Sequence, residues 1–459
     1  MTIDLASAVP LLIGVVGSGD TVATDVPGLG ETFAAVLLEL RNSYPDLPLV
    51  LLSGATQGAV AAVIRVAADR GLATTAIAPT PEAIVAASDL LIVVARDRST
   101  AEELALTDRP PGRSAPSALR ALLAPPDRRP CFVLAGGSVE RAYPPQSDFA
   151  AELARRNRFN ADLRSVSEPE DRDMLERLRQ RTDLIAGALQ ARTDVWQRFL
   201  YAIAFVAASV QIITVIPNGV WIKFGAVVVA LSCYFFVRRQ DYQNRYQDYR
   251  AISEALRVQI VWSAVGIGEG VAESYLPMQQ TDLLWIRNVL RVVHVIAGRA
   301  EPAAGTEIVF DWVASQRSYF RDHAQAEARR RARLDRWAAT FGISSLVVSL
   351  IMLCLSLAHL RWAAGAVVLL FGIFTTWCAL VVAIVISYAR TRGHAENANR
   401  YQRMFFVFDR ALGLLNGTRD RATQCEVAHE LGRMALAEQA EWLLQRRERP
   451  ISLVYANAA

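Results

Sequence analysis

The sequence predicts two parts, an N-terminal α/β domain with a parallel sheet and an all-α membrane domain with four transmembrane helices in two hairpins. Over about the first 150 residues, short apolar runs alternate with segments of helical spacing, which is typical of parallel sheets buried on both faces. Four long stretches then follow that are apolar and hold at most one charged side chain, which is typical of membrane spans.

The first observation behind the membrane domain is the length of the uncharged stretches. No charged side chain occurs between Arg198 and Lys223, and none occurs between Arg336 and Arg361. About 20 apolar residues in a helix cross a hydrocarbon core of about 30 Å. Buried hairpins of a soluble protein are the alternative, but soluble helices carry a polar stripe with a period near 3.6 residues, and these stretches have none. We therefore predict spans over residues 199–216, 220–237, 337–360 and 362–389.

The placement of arginine predicts the orientation. Arginines precede the first and third spans and follow the second and fourth, whereas the two hairpin tips hold only Lys223 and Arg361. Because positively charged residues are retained on the cytoplasmic side, the N-terminus, the middle segment and the C-terminus are predicted to be cytoplasmic.

Composition and charge narrow the classes of function. The 459 residues are 53% hydrophobic and 20% charged, which suits a chain divided between water and lipid. The net charge of +4 is carried by arginines beside the spans, which favours anionic lipid headgroups over nucleic acid as the partner. The scattered cysteines form neither a zinc pattern nor a disulfide framework, so we predict no metal site and a reducing compartment: Cys131, Cys233, Cys354, Cys378 and Cys425.

The α/β domain is predicted from five apolar runs and the helical segments between them. Leu11 to Val16 is a short run that ends in glycine and serine, as a strand before a tight turn does. The predicted strands cover residues 11–16, 49–52, 74–78, 90–94 and 131–134, and the predicted helices cover residues 31–42, 59–70, 81–87, 96–106 and 116–123. Ligands of such sheets bind at the carboxyl ends of the strands.

Three loops rich in small residues fall at those carboxyl ends, at residues 14–20, 53–58 and 136–138. Small residues let backbone N–H groups approach a phosphate, and a helix N-terminus adds about half a positive charge. The alternative is that the glycines only make tight turns. No P-loop lysine and no full GxGxxG is present. The predicted ligand-binding residues, which include two polar residues after the fourth strand, are Gly14, Gly17, Ser18, Gly19, Asp20, Ser53, Gly54, Ala55, Thr56, Gln57, Gly58, Arg96, Thr100, Gly136, Gly137 and Ser138.

Two of these loops, residues 14–20 and residues 53–58, together resemble the SLOG superfamily. These are Rossmann-like domains related to the DNA-processing protein DprA and the LOG phosphoribohydrolases. The remainder of the chain resembles the SLATT membrane modules that bacterial conflict systems often fuse to SLOG sensors, and here the module is duplicated. The residues that carry this second resemblance, besides the hairpins, are Arg158, Phe159, Asn160, Asp162 and the run from Glu438 to Leu443.

The resemblance implies a membrane effector of bacterial antiphage defence. A cytosolic SLOG-like domain would sense a nucleotide-derived second messenger and trigger membrane permeabilisation or channel opening. The chain would then be a multi-pass protein of the inner (cytoplasmic) membrane. Four spans are too few to enclose a wide pore, so we also expect a homo-oligomer.

The same resemblance argues against an enzyme. The LOG enzymes carry a PGGxGTxxE motif that supplies their catalytic glutamate, and the run from Gly136 to Glu140 matches only its start. We therefore predict no catalytic residue and no cofactor. Two alternatives stay open: a membrane-tethered nucleotide or NAD hydrolase that uses Glu102, Glu103 or Glu140, and a membrane scaffold whose α/β domain binds a protein.

The chain is predicted to fall into four segments. Residues 1–150 form the ligand-binding domain, and residues 151–195 form a connector of two helices split near Pro169. Residues 196–300 and 301–459 form two copies of one unit, in which Trp337 repeats Trp196 and Tyr401 repeats Tyr249. The helix after Val237 is predicted to continue unbroken into the cytoplasm.

Overall fold

The computed structural model describes most of the helical part of the chain and the strands of the sheet. The described residues are 4–17, 29–53, 58–69, 73–75, 84, 87–94, 131–135, 138–141, 147–167, 169, 171, 173–212, 219–275, 283–297, 307–357, 365–418 and 420–447.

Six strands form one sheet at the N-terminal end of the chain. They are β1 (Leu11–Gly17), β2 (Leu49–Leu52), β3 (Ala73–Thr75), β4 (Leu90–Val94), β5 (Cys131–Ala135) and β6 (Ser138–Arg141). Their order in the sheet is β3-β2-β1-β4-β5-β6. The first five strands are parallel, and β6 pairs with β5 in the antiparallel sense. The five predicted strands are confirmed within the described residues, although residues 76–78 of the third lie outside them. Strand β6 was not predicted from the sequence.

The other regular elements of the described chain are helices. Helices α1 (Leu29–Ser43) and α2 (Gly58–Asp69) confirm two predictions, whereas the helices predicted at 96–106 and 116–123 and most of that at 81–87 lie outside the described residues. The other helices are α3 (Ser147–Arg164), α4 (Met174–Ile212), α5 (Gly219–Arg239), α6 (Tyr242–Val265), α7 (Val271–Ser274), α8 (Leu284–Ala297), α9 (Glu307–Leu357), α10 (Ala366–Arg392), α11 (His394–Gly417) and α12 (Arg421–Arg447). The connector split near Pro169 is confirmed, because α3 ends before it and α4 begins after it.

Contacts divide the chain into two compact units. The first unit comprises Met1–Ile185, Asp248–Gly305 and Gly432–Ala440, and the second comprises Ala186–Gln247, Thr306–Leu431 and Glu441–Ala459. The segment boundaries predicted from the sequence were placed by the internal repeat, whereas the two units are defined by which residues pack together. In particular, residue 150 lies inside α3, and the first unit continues through that helix.

The core of the first unit lies between the sheet and the helices beside it. Leu11, Ile13 and Val15 alternate along one face of β1, and all are almost completely buried. Phe33 from α1 and Val63 from α2 pack into the same cluster. Burying a side chain of this size stabilises a fold by about 1.5–3 kcal/mol, so the apolar runs that predicted the strands also hold the helices in place.

Four helices of the structure are long and apolar enough to cross a membrane, which confirms the coarse prediction of four spans. They are α4, α5 with its continuation, α9, and α10 with its continuation. The most apolar 18-residue stretch is 6% buried in α5 and α10 and not buried at all in α9. Large apolar side chains such as Trp221, Leu346 and Leu370 are more than half exposed. Soluble monomers rarely expose large contiguous apolar patches, so exposed apolar helices of this length are consistent with a membrane-embedded protein.

The predicted unbroken helix after the second span is interrupted. Helix α5 ends at Arg239, and α6 begins at Tyr242 after Asp241, whose φ is 51°. The second copy has the same break: Gly393, with a φ of 62°, separates α10 from α11. Each left-handed residue lies the same number of residues before its repeated tyrosine, Tyr249 or Tyr401. A single left-handed residue ends a helix and redirects the chain, and its recurrence supports the predicted duplication.

Replacing Gly393 with alanine tests this break. The left-handed region costs an L-residue with a Cβ about 1–2 kcal/mol, so we expect Gly393→Ala to lower the melting temperature of the full chain in detergent. Gly413 lies inside α11, where an added Cβ would meet nothing within 4 Å. The control Gly413→Ala should therefore raise stability, by up to about 1 kcal/mol. Equal effects of the two substitutions would contradict the left-handed assignment.

Candidate ligand-binding edge of the sheet

The carboxyl ends of the parallel strands lie side by side at one edge of the sheet. Gly17 at the end of β1 is paired with Val94 at the end of β4, and Val94 is paired with Leu134 near the end of β5. Between β1 and β4 the order of strands changes direction. Open parallel sheets bind ligands outside the carboxyl ends of the strands at such a point. We call this the carboxyl edge.

The structure places four of the predicted residues at or next to the carboxyl edge. Gly17 ends β1, Ser53 follows β2, Gly58 begins α2 and Ser138 begins β6. Ser53 is buried, with 8% of its surface exposed. The remaining predicted residues, except Gly14, lie outside the described part of the chain: Ser18, Gly19, Asp20, Gly54, Ala55, Thr56, Gln57, Arg96, Thr100, Gly136 and Gly137.

Gly14 has a different position from its predicted companions. It lies inside β1, paired with Leu52 on one side and Leu91 on the other. A Cβ at Gly14 would lie 2.8 Å from the Cβ of Ser88 and 3.1 Å from a methyl carbon of Ile84. Glycine is needed here because the chain before β4 packs directly on the backbone of β1, so packing accounts for this residue without a ligand.

The third predicted loop belongs to a hairpin. Ala135 at the end of β5 is paired with Ser138 at the start of β6, so the chain reverses within the two intervening residues. Glu140, the glutamate of the incomplete LOG motif, is paired with Val133 inside the hairpin.

Helix α3 covers the opposite, amino edge of the sheet. Asn160 accepts a hydrogen bond from the N–H of Val9 at 2.9 Å and donates to the carbonyl oxygens of Val9 at 3.0 Å and Asp46 at 3.1 Å. Asn157 accepts from the N–H of Asp46 at 2.7 Å, and Arg164 donates to the carbonyl oxygen of Asp46 at 2.8 Å. These backbone groups precede β1 and β2. The side chains of α3 thus form hydrogen bonds with backbone groups at the amino edge. The carboxyl edge is therefore the candidate site.

A buried ionic cluster, formed by Asp89, Glu152, Arg156, Asn288 and Arg291, fixes this arrangement. The Asp89 carboxylate, 1% exposed, accepts from the N–H of Leu12 at 3.0 Å and pairs with Arg156 and Arg291, each at 2.9 Å. Arg156 also donates to the carbonyl oxygen of Pro10 at 2.6 Å. One carboxylate therefore joins β1, the start of β4, α3 and α8. Sequence analysis did not single out these residues, although Glu152 and Arg156 stand one helical turn apart.

Glu152 is the titratable member of the cluster whose environment disfavours its charged form. Its carboxylate accepts a hydrogen bond from Asn288 Nδ2 at 2.6 Å and lies 3.8 Å from Arg156. Burial raises the pKa of Glu152 above its ordinary value, and this effect exceeds the opposing attraction of Arg156 and the hydrogen bond from Asn288.

Phe159 and Asp162, two of the residues on α3 that carry the predicted SLATT resemblance, contact other helices of the first unit. The Phe159 ring packs against Tyr249 at 5.0 Å and against Trp285 at 6.0 Å between ring centres. The Tyr249 hydroxyl donates to the Asp162 carboxylate at 2.6 Å. These contacts hold α6 and α8 against α3. Other side chains of α3 bind the sheet.

The described residues contain no group of three or more His, Cys, Asp or Glu side chains that could hold a metal ion. In comparisons with known proteins, no family model, no curated protein and no solved structure matches this chain. The functional proposal therefore rests on the geometry of the amino and carboxyl edges of the sheet.

Removing the Asp89 carboxylate should destabilise the first unit strongly. Asp89→Ala leaves two arginines and a buried N–H without their acceptor, and breaking a buried pair of this kind costs about 3–5 kcal/mol. The control Asp335→Ala removes the exposed Arg331–Asp335 pair, whose side chains are 54% and 68% exposed, and exposed pairs contribute about 0–1 kcal/mol. Chemical unfolding of the full chain in detergent measures both. Similar losses for the two variants would contradict the role of the cluster.

Replacing Glu152 with glutamine should give a pH-dependent gain in stability. Because the folded-state pKa of Glu152 is raised, its contribution to stability is fully present below the pKa of an unperturbed glutamate and is lost as pH rises through the folded-state pKa. Glutamine stays neutral and keeps an acceptor for Asn288. We expect Glu152→Gln to raise the melting temperature near neutral pH, with the gain shrinking as pH falls towards the unfolded value. A variant that is less stable across the whole range would refute the assignment.

Proposed function

We propose that this chain is a membrane effector in which the carboxyl edge of a cytosolic, SLOG-like sheet senses a nucleotide-derived second messenger and triggers membrane permeabilisation or channel opening. The observation that carries the proposal is a parallel sheet whose amino edge is satisfied by its own helix, in the same chain as four exposed apolar helices. Small residues (Gly17, Ser53, Gly58 and Ser138) lie at or next to its carboxyl edge. In this account the protein acts in bacterial antiphage defence at the inner membrane, and both termini are cytoplasmic.

Two helices support a route from the sheet towards the lipid. Arg181 near the start of α4 donates to the carbonyl oxygen of Ala6 at 2.7 Å, and the same helix ends in an apolar stretch. Helix α6 follows the span in α5 and carries Tyr249, which contacts α3. The C-terminal helix α12 also packs on α6, because a Cβ at Gly432 would lie 2.4 Å from Trp262 Nε1. A ligand that changed the sheet would thus act on helices attached to it.

The polar groups of the apolar helices support action by several subunits. Trp377 Nε1 donates to Ser209 Oγ at 2.9 Å, and the Tyr201 hydroxyl lies 2.9 Å from Thr391 Oγ1. Ser345 donates to the carbonyl oxygen of Thr375 at 3.4 Å. These groups are used in contacts between helices of the second unit and so do not supply the lining of a water-filled channel. Permeabilisation would therefore require a homo-oligomer of SLATT-like units.

The energetic requirement on the ligand is modest. Moving a two-state equilibrium from 1:99 to 99:1 takes about 5.5 kcal/mol of differential binding. A few charge-assisted hydrogen bonds from backbone N–H groups to a phosphate, at about 1.5–3 kcal/mol each, supply that amount. No catalytic residue or cofactor is needed. A nucleotide or NAD hydrolase and a protein-binding scaffold remain the competing functions, and the pairing of Glu140 inside a hairpin favours neither of them.

Dye release from liposomes that contain the purified full chain tests the proposal. Cyclic dinucleotides, cyclic ADP-ribose and ADP-ribose are added in turn, and we expect one of them to raise the melting temperature and release the dye. Thr56→Asp places a negative charge in the second predicted loop and should raise the concentration needed by at least about tenfold, since repulsion of about 1.4 kcal/mol suffices.

The matched control is Asn42→Asp, which adds the same charge at the exposed end of α1, before β2. It should leave ligand potency unchanged. A nucleotide that binds without any release of dye would contradict the proposal. Failure of every nucleotide to raise the melting temperature would favour the scaffold, and turnover of a nucleotide that is abolished by Glu140→Gln would argue for the hydrolase.

A further inference from the structure

A cavity of about 310 Å³ lies at the base of the first hairpin, at the end opposite its tip. It is enclosed by α4, by the last turns of α5 and by the first turn of α6. Trp196, Tyr234, Arg238, Asp241 and Tyr242 are among its lining residues. Pockets for small ligands have volumes of about 300–1,000 Å³, so this cavity can hold a small polar group.

The cavity has an apolar wall and a charged side. Thr193, Leu200 and Val237 line it and are 5%, 7% and 7% exposed. The Trp196 ring packs against Phe236 at 5.8 Å between ring centres, which fixes the indole between the two helices. Arg238 and Asp241 contribute the charges. The apolar wall and the charged side of the cavity therefore suit a molecule with a hydrocarbon part and a polar part.

The two charges face the cavity without ion-pair partners. Arg238 donates a long hydrogen bond of 3.4 Å to the Tyr234 hydroxyl, and Asp241 accepts from Asn244 Nδ2 at 2.6 Å. Within the described residues, neither Arg238 nor Asp241 forms a salt bridge. Asp241 also holds the left-handed backbone that ends α5. The cavity thus offers a guanidinium and a carboxylate to a ligand that carries both an anion and a cation.

We propose that this cavity binds the headgroup of phosphatidylethanolamine, with the phosphate at Arg238 and the ammonium at Asp241. This inference rests on the membrane insertion in the proposed function. Arginine binds phosphate through charge-assisted, forked hydrogen bonds, and the rings of Trp196 and Tyr242 favour a nearby ammonium. A site beside an indole at the end of a span lies at the level of the headgroups, and the acyl chains would run along the exposed apolar face of α5.

The second hairpin provides an internal comparison. By the spacing of the repeat, Arg390 corresponds to Arg238, and Gly393 corresponds to Asp241. The second copy therefore keeps the cation and lacks the carboxylate. The proposal is specific to the first hairpin, and it assigns to Asp241 a function that its glycine counterpart cannot have.

Thermal unfolding of the delipidated full chain in detergent tests the site. Phosphatidylethanolamine should raise the melting temperature at lower concentration than phosphatidylcholine or phosphatidylglycerol. Arg238→Gln and Asp241→Asn should each raise the concentration of phosphatidylethanolamine needed by about tenfold. Asparagine tolerates the left-handed region, so Asp241→Asn should keep the lipid-free melting temperature. The control Arg239→Gln changes an exposed arginine that does not line the cavity, and it should leave the lipid response unchanged.

Three results would overturn the proposal. Equal stabilisation by all three lipids would remove the headgroup preference. An equal loss in Arg239→Gln and Arg238→Gln would indicate general attraction to the bilayer. An equal effect of water-soluble glycerophosphoethanolamine would indicate a soluble ligand. Nucleotide-triggered dye release is measured on the same variants, so lost lipid preference with intact release refutes this site alone. A chain that stays soluble and monomeric without detergent refutes the membrane function as well.

Discussion

The architecture of the first unit depends on one buried carboxylate. The Asp89 carboxylate accepts a hydrogen bond from the N–H of Leu12 in β1 and pairs with arginines from two helices at a buried position. A buried charge is tolerated only where its partners are fixed, and removing any partner leaves a charge uncompensated. This requirement orients α3 along the amino edge of the sheet and brings α8 to the same place. The fold thereby has two unequal edges, an amino edge occupied by side chains of α3 and a carboxyl edge where Gly17 and Ser53 lie among the described residues.

Helix α3 makes two kinds of contact. Its polar side chains, led by Arg156 and Asn160, bind backbone groups that precede the strands. Its aromatic side chain, Phe159, contacts Tyr249 and Trp285. The polar contacts fix the position of the helix through directional hydrogen bonds, and the aromatic packing buries a large apolar area. Helix α3 thereby binds the sheet through one set of side chains and packs against α6 and α8 through another.

Sequence reasoning predicted the parts of this fold whose signals are local. Four of the five parallel strands are apolar runs such as Leu90–Val94, and the spans are long stretches almost without charged residues. Strand β6 was missed because Ser138–Arg141 has no apolar pattern and depends on pairing with β5. The break at Asp241 was missed because neither glycine nor proline marks it. Asp89 was missed because its partners lie 77 and 202 residues away along the chain. Gly14 could be separated from Gly17 only once the register showed Ser88 against it.

Hydrogen exchange in lipid nanodiscs tests the central claim most directly, because it reports the carboxyl edge and the attached helices in one experiment. Cyclic ADP-ribose and cyclic dinucleotides serve as probes on the full chain. The account predicts that one of them slows exchange in the segments that follow β1 and β2 and also changes exchange in α6, while the amino edge beside Asp46 stays protected throughout. Protection confined to the amino edge, or a bound nucleotide that leaves α6 unchanged, would contradict it.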